Sequence, residues 1–277
     1  MFTAGCSDGS SGDDSGDAVL RCNGFVDLCD RTFDAVALAG THNSMSNAEA
    51  GWWVPNQQYG LTRQLEDGIR GLLLDTYYWE DDLYLCHDDC SLGSQLLVEG
   101  LAEILAFIDA HPGEVLAIIF QDGVEPADAA SAFEEVGLDA VVHTHTPGEP
   151  WPTLGELSAA GERLIVGAEF SGPPPAWHHH AWDLYFDTPY DFDSVSAFDC
   201  GPHRGGSSSD LFLVNHWLSG PLSRISNADE VNQYDVLSQR LEDCWAQREH
   251  IPNLVAVDFY DRGDLLRAVD SLNGVSR

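Results

Sequence analysis

Leu38-Ala39-Gly40-Thr41-His42-Asn43-Ser44 is the stretch that decides how this chain of 277 residues reads. A short apolar run, Ala35–Leu38, reads as a strand, and an imidazole and an amide follow its end. A second run opens Gly68-Ile69-Arg70-Gly71-Leu72-Leu73-Leu74-Asp75, and a third, Leu83-Tyr84-Leu85-Cys86, leads into His87. Side chains at strand ends leave a rigid scaffold and enter clefts. Two imidazoles there supply one general base and one general acid near neutral pH, which is the equipment for cleaving a phosphodiester.

Working outward, further apolar runs are Gly71–Thr76, Val115–Phe120, Leu164–Ala168, Leu184–Asp187, Leu211–Val214 and Leu254–Asp258. Several are nearly continuous, as parallel strands covered on both faces require. Helical patterns fall between them, over Leu61–Asp67, Leu96–Ala110, Ala127–Val136, Thr153–Ala160 and Val231–Gln247. The second of these stops at His111-Pro112-Gly113. Strands alternating with helices predict the α/β class, here a single irregular (β/α)8 TIM-type barrel over residues 21–277. The Pro-, Gly-, His- and Ser-rich stretch 171–206 reads as long loops around the sixth strand, and His178-His179-His180, like His143 and His145, as solvated loop.

Residues 1–20 read as a disordered tether, a Ser/Gly/Asp tract with nothing to pack. Thr3-Ala4-Gly5-Cys6 looks like the end of a bacterial lipoprotein signal, although the basic and apolar parts of a signal are missing. The location expected is extracytoplasmic, secreted or lipid-anchored. Seven cysteines agree with an oxidising compartment. Cys22/Cys29 and Cys86/Cys90 could close small disulfide loops, Cys200/Cys244 a long one, with Cys6 left over. Zinc is the rival use, but Cys86-His87-x-x-Cys90 lacks a second half.

Charge is lopsided: 46 acidic residues against 12 basic ones, all arginine, for a net charge of −34. Such a surface repels nucleic acid and offers no polybasic patch to anionic lipid. It suits solubility or salty surroundings, with a specific cationic partner as the alternative. No apolar run is long enough to span a membrane.

In a barrel of this kind functional side chains sit at the C-terminal ends of strands. Those ends deliver His42 and Asn43, then Asp75 and Tyr77, then His87, Gln121, Glu169, Asp187 and Tyr190, Asn215 and His216, and finally Asp258 and Tyr260. A purely structural barrel has no need of so many polar groups there.

At this point the chain resembles a known family. Gly40-Thr41-His42-Asn43-Ser44, Gly68-Ile69-Arg70 leading to Asp75, His87, and Val255-Ala256-Val257-Asp258-Phe259-Tyr260 look like the X-region of phosphatidylinositol-specific phospholipase C and its phosphodiesterase relatives. The opening Cys22-Asn23-Gly24 and Leu28-Cys29-Asp30-Arg31 are similar to secreted members of that superfamily. The resemblance implies His42 as general base, His87 as general acid and Asp258 as the partner that orients His42. It implies a phospholipid or inositol-phosphate substrate, with Asn43, Arg70, Tyr77, Glu169, Tyr190, Asn215 and Tyr260 as candidate binding residues. Asp75 matches the position where calcium-dependent members carry a carboxylate ligand and calcium-independent ones an arginine. A transition state gathering negative charge needs a cation. Calcium held by Asn43, Asp75 and Gln121 is one source, and Arg70 is the other. Leu73 and Gln121 depart from the family's charged residues. Trp52, Trp53, Trp177, Trp182 and Trp217 offer an apolar rim for peripheral membrane contact. The rival readings are a glycerophosphodiesterase or sphingomyelinase D-like activity on the same barrel, and a degenerate barrel that binds without turnover. Headgroup and oligomeric state are not legible.

Overall fold

The computed structural model describes residues 1, 19–206, 209–220 and 224–277. Cys6 and most of the expected tether lie outside the described residues. Strands run over β1 (Leu38–Thr41), β2 (Gly71–Trp79), β3 (Asp82–Cys86), β4 (Ser94–Leu96), β5 (Leu116–Asp122), β6 (Leu164–Ala168), β7 (His179–His180), β8 (Tyr185–Asp187), β9 (Leu211–His216) and β10 (Leu254–Val257). Helices are α1 (Leu61–Asp67), α2 (Leu97–Ala110), α3 (Pro126–Val136), α4 (Leu154–Ala160), α5 (Ala181–Leu184), α6 (Arg224–Val231), α7 (Tyr234–Arg248) and α8 (Leu265–Leu272).

Eight of the strands form one curled parallel sheet in the order β7-β6-β5-β2-β1-β10-β9-β8. This is the irregular TIM-type barrel that the alternation predicts, with a seam: among the described residues β7 and β8 are not paired. Alternate residues divide the apolar content between the two faces. Leu38, Leu73, Ile119, Leu213 and Leu254 belong to one buried cluster, while their neighbours Ala39, Leu72, Leu74, Val214 and Val255 pack with helix residues such as Leu101, Ile104, Phe133 and Leu241.

Three expectations about strands are corrected. The run Leu83–Cys86 is no barrel strand; β3 pairs antiparallel with β2 and carries β4 on its outer edge. Only Glu80 and Asp81 link β2 to β3, both at positive φ (46° and 67°). A two-residue link makes a hairpin, whereas a parallel neighbour needs a crossover of a dozen residues or more. The eighth parallel strand is β7, formed inside the histidine run expected to be solvated; His178 and His179 are buried, and His145 stacks on Trp151 at 3.6 Å. The first strand also starts three residues late, because Phe33–Ala35 forms a 3-10 turn. The expected helix Val231–Gln247 is interrupted at Asn232, whose side chain donates to the carbonyl of Asp258 instead. All three expected cysteine pairs are disulfides.

Gly40 and Gly71 stand side by side on β1 and β2. A Cβ on Gly71 would lie 1.9 Å from Leu254 Cδ1, and one on Gly40 2.6 Å from the same atom. The two glycines therefore make room for the leucine that fills this level of the barrel. Gly71→Ala is expected to cost about 1–3 kcal/mol by overpacking. The check is a lower urea midpoint at unchanged m-value; an unmoved midpoint means that Leu254 swings aside freely.

Candidate active site

The site starts from backbone register. Thr41 of β1 stands opposite Val257 of β10, so the next residues, His42 and Asp258, leave the sheet side by side. His42 Nδ1 lies 2.9 Å from Asp258 Oδ1. Asn43 and Phe259 follow them, each with φ at +45°, and turn the chain away immediately after the functional residue. Asparagine tolerates that conformation, but phenylalanine adopts it only under constraint. The constraint is visible: Phe259 N–H donates to Asn56 O, and the Asn232 side chain donates to Phe259 O. Asn56 Nδ2 also donates to Asp258 Oδ1 at 2.8 Å, and Gln57 Nε2 donates to the carbonyls of His42 and Val257. Farther along, Gln64 of α1 donates to the Ser44 carbonyl and accepts from the Thr41 hydroxyl. The carboxylate fixes Nδ1–H as donor, so Nε2 is the nitrogen able to take a proton. Trp217 stacks on the imidazole with ring centroids 3.8 Å apart and planes 2° from parallel.

His42 lines a cavity of about 290 Å³ at the C-terminal ends of the strands, together with Asn43, Asp75, Gln121, Glu169, Tyr190 and Asn215. Seven residues expected from the strand ends thus share one space. Two polar atoms of its wall are buried without a partner among the described residues, Asn43 Nδ2 and Asn215 Oδ1. A roomier groove of about 810 Å³ beside α7 contains no imidazole in its described lining.

The cation of the site is Arg204, which sequence reasoning missed. Its guanidinium meets Asp187 at 2.6 Å and Glu169 at 2.9 Å. It lies over Trp182 at 4.0 Å and Tyr190 at 4.9 Å. Glu169 follows β6 and Asp187 ends β8, so this arginine bridges elements on the two sides of the seam. Burial raises the pKa of Glu169, while Arg204 opposes that shift. Nothing local in Pro202-His203-Arg204 announces the role, since only the closing of the sheet brings residue 204 to the strand ends.

Other expected residues are elsewhere. Arg70 is no candidate cation: it precedes β2, at the opposite end of the barrel, where it pairs with Glu114 at 2.6 Å and donates to the carbonyls of Leu65 and Ile69. Tyr260 leaves the cavity too, its phenol donating to Asp67 of α1. His216 points to the helix layer, where Nε2–H donates to Val231 O and burial beside Arg240 pushes its pKa down to about 3. Tyr77 is not in the described lining of the His42 cavity; its phenol meets the Gln121 side chain and the Asp88 backbone. His87 is not in the lining of the His42 cavity. It lines a neighbouring cleft of about 170 Å³ with Ser46, Trp52, Trp53 and Leu92.

The family model PI-PLC X (PI-PLC X 1) matches residues 28–273. The chain belongs to the PI-PLC X family. It is 29% identical over 280 residues to PI-PLC X domain-containing protein 1 of Arthroderma benhamiae, covering 92% of this chain and 90% of that one. It is also 29% identical to a PI-PLC X domain-containing protein of Arabidopsis thaliana, of which it spans 61%. An uncharacterized secreted protein of Arthroderma benhamiae is 23% identical over 92% of this chain and 64% of its own length. Among solved structures, the phosphatidylinositol-specific phospholipase C of Listeria monocytogenes superposes with a TM-score of 0.59 at 16% identity, over 89% of this chain and 94% of that one. A Staphylococcus aureus phosphatidylinositol-specific phospholipase C variant superposes with a TM-score of 0.62 at 12% identity, with the same coverage of both chains. These two likenesses establish the shared fold.

In this PI-PLC X chain Asp75 is 4% exposed, with no hydrogen bond to its carboxylate among the described residues. Burial raises its pKa well above the usual carboxylate range, and the charges of Glu169 and Asp88 add to the rise. Asn43, Asp75 and Gln121 do share the cavity, but they do not fit calcium. Asp75 is the one carboxylate of the set, while Glu169 and Asp187 are already bound to Arg204. Among the described residues no three of His, Cys, Asp or Glu converge as metal ligands, whereas calcium takes about six to eight oxygens.

The Asp75 shift has a stability consequence. A carboxyl whose pKa is raised by folding costs nothing below its unfolded pKa of about 3.9, and the cost grows as pH climbs from there through the folded value. Asp75→Asn should therefore melt higher than the native chain at pH 7.5 in chelator, with the gap closing toward pH 4. A gap independent of pH would mean that the asparagine acts through packing rather than charge.

Proposed function

We propose that this protein is a phosphodiesterase of the phospholipase C type, acting on the headgroup phosphodiester of an inositol phospholipid or a related polyol phosphate. The observation that carries the reading is His42, oriented by Asp258 at 2.9 Å with its other nitrogen free to act at a polar cavity. His42 Nε2 takes the proton of a substrate hydroxyl. The hydroxyl oxygen forms a new bond to phosphorus while the bond from phosphorus to the lipid oxygen breaks. Asp258 stabilises the imidazolium that results. His87 gives its proton to the departing alkoxide. The product is a cyclic phosphodiester, which water opens with the two roles reversed.

Charge on the phosphoryl oxygens is met by Arg204 and by the partnerless Asn43 Nδ2. Because Arg204 is shared with two carboxylates and flanked by Trp182 and Tyr190, its surroundings suit a hydroxyl-rich ring better than a bare anion. The lipid side of the substrate faces the other way, toward the His87 cleft. Trp53 and Leu92 of that cleft are exposed (74% and 46%), as is Phe170 at the polar cavity (72%), which supports peripheral contact with a lipid surface. Three disulfides and a relative named as secreted support an extracytoplasmic location.

The test is a headgroup panel with products identified by mass spectrometry. Diacylglycerol and a cyclic inositol phosphate are expected from phosphatidylinositol. His42→Ala and His87→Ala should each lower turnover by about 10²–10⁴-fold while leaving the circular dichroism spectrum unchanged. Undiminished turnover in either variant removes that residue's role, and binding without any product points to a degenerate barrel. Because the protein donors do not fit calcium, turnover should be the same with chelator as with added calcium. Loss in chelator that calcium restores would return Asp75 to the role of metal ligand.

A further inference from the structure

The candidate acid sits inside a small covalent ring. Cys86 ends β3, Cys90 opens a 3-10 turn, and the disulfide between them encloses His87, Asp88 and Asp89. These three residues have no large apolar side chain with which to anchor themselves. Asp88 turns through a left-handed conformation with φ at 59° and its side chain stands 84% exposed, while His87 is 28% exposed. The feet of the ring, by contrast, are held. Cys86 is fully buried and Cys90 nearly so, both in the main core cluster. Asp89 caps the turn that Cys90 opens by accepting from Ser91 N–H, and beyond Cys90 the Trp53 N–H donates to Leu92 O at 2.8 Å. Gly93 lies against Trp52 so closely that a Cβ would come within 2.4 Å of the indole.

The imidazole is thus carried on a polar arc whose two ends are fixed by its feet. An acid must meet the leaving oxygen within hydrogen-bond reach, and a displacement of about 1 Å can cost about 10²-fold in rate. An open five-residue segment of this composition samples many conformations that a closed ring excludes. We propose that the Cys86–Cys90 disulfide is a positioning element for His87, so that closing this ring sets how well the enzyme protonates its leaving group. The inference rests on His87 being the general acid.

Leaving-group chemistry separates this role from a general effect on stability. An alkoxide needs the acid's proton as it departs, whereas a phenolate leaves without it. The full chain, Cys86→Ser/Cys90→Ser, His87→Ala and His42→Ala are compared on two inositol phosphodiesters, one with an alkyl and one with a 4-nitrophenyl leaving group. The serine pair should lose about 10²-fold in kcat on the alkyl substrate. On the aryl substrate it should stay within a few-fold of the native chain, and on the alkyl substrate its pH profile should lose the alkaline limb. His87→Ala should show the same selectivity more strongly, and His42→Ala should fail on both substrates. Equal loss on the two substrates, or full activity on the alkyl one, overturns the positioning role. If His87→Ala itself shows no leaving-group selectivity, the acid assignment falls and takes this inference with it. Should the serine pair not fold, because Cys86 is fully buried, Cys86→Ala/Cys90→Ala puts the same question with no hydroxyl to bury.

Discussion

The parallel pairing of β1 with β10 is the constraint on which the site depends. One register, Thr41 against Val257, makes His42 and Asp258 neighbours although 216 residues separate them. A slip of one residue would turn both side chains to the opposite face of the sheet. The pair is also partly removed from water, with the aspartate side chain 8% exposed and the histidine 23%. Removing water strengthens the attraction but raises the cost of leaving either charge unmatched. That explains the supports: Asn56, Gln57 and Asn232 spend their amides on this corner, and two consecutive strand ends turn through left-handed residues to clear it.

A second constraint acts at the seam. A closed barrel has no unpaired edge, but here β7 and β8 lack a shared ladder among the described residues. Side chains take over part of that task. Glu169 and Asp187 would repel one another across the gap, and Arg204 holds them together while stacking on Trp182. In a chain with a net charge of −34 the arginine that enters the site arrives already shared between two acids. The cluster closes the structure, and it also orients a guanidinium against aromatic faces at the cavity. The structural task and the proposed role at the cavity fall on the same three charges.

The polar cavity and the His87 cleft divide the mouth of the barrel by chemistry. One is lined by amides, carboxylates and Arg204, the other by Trp52, Trp53 and Leu92 beside the histidine. Asp88 links them, since its charge is felt by Asp75 and its backbone meets Tyr77. The substrate proposed above, with a polyol at one end of a phosphodiester and a lipid at the other, is chosen to match this division. The hairpin β2–β3 makes it possible by carrying the second histidine beyond the barrel wall instead of to the end of another barrel strand.

Local patterns were enough for what depends on short-range physics. Apolar runs marked five of the parallel strands to within a residue or two and two more to within three, because strands buried on both faces must be apolar nearly throughout. Strand-end position brought His42, Asn43, Asp75, Gln121 and Asn215 to one cavity; spacing marked two of the disulfides, and Cys200–Cys244 followed as the remaining long-range pair. Three strands escaped the pattern: β3 reads like its neighbours until the two-residue turn at Glu80-Asp81 is weighed, β4 is three residues long, and β7 is two histidines long. By itself, then, the sequence determined the fold class and the family, and through the family resemblance it paired His42 with Asp258. Only the tertiary structure decided that Arg204 enters the site while Arg70 pairs with Glu114 below it, and that His87 stands in a cleft of its own. A charged side chain goes wherever a partner compensates its desolvation, and partners 35 and 44 residues away come into reach only once the sheet has curled.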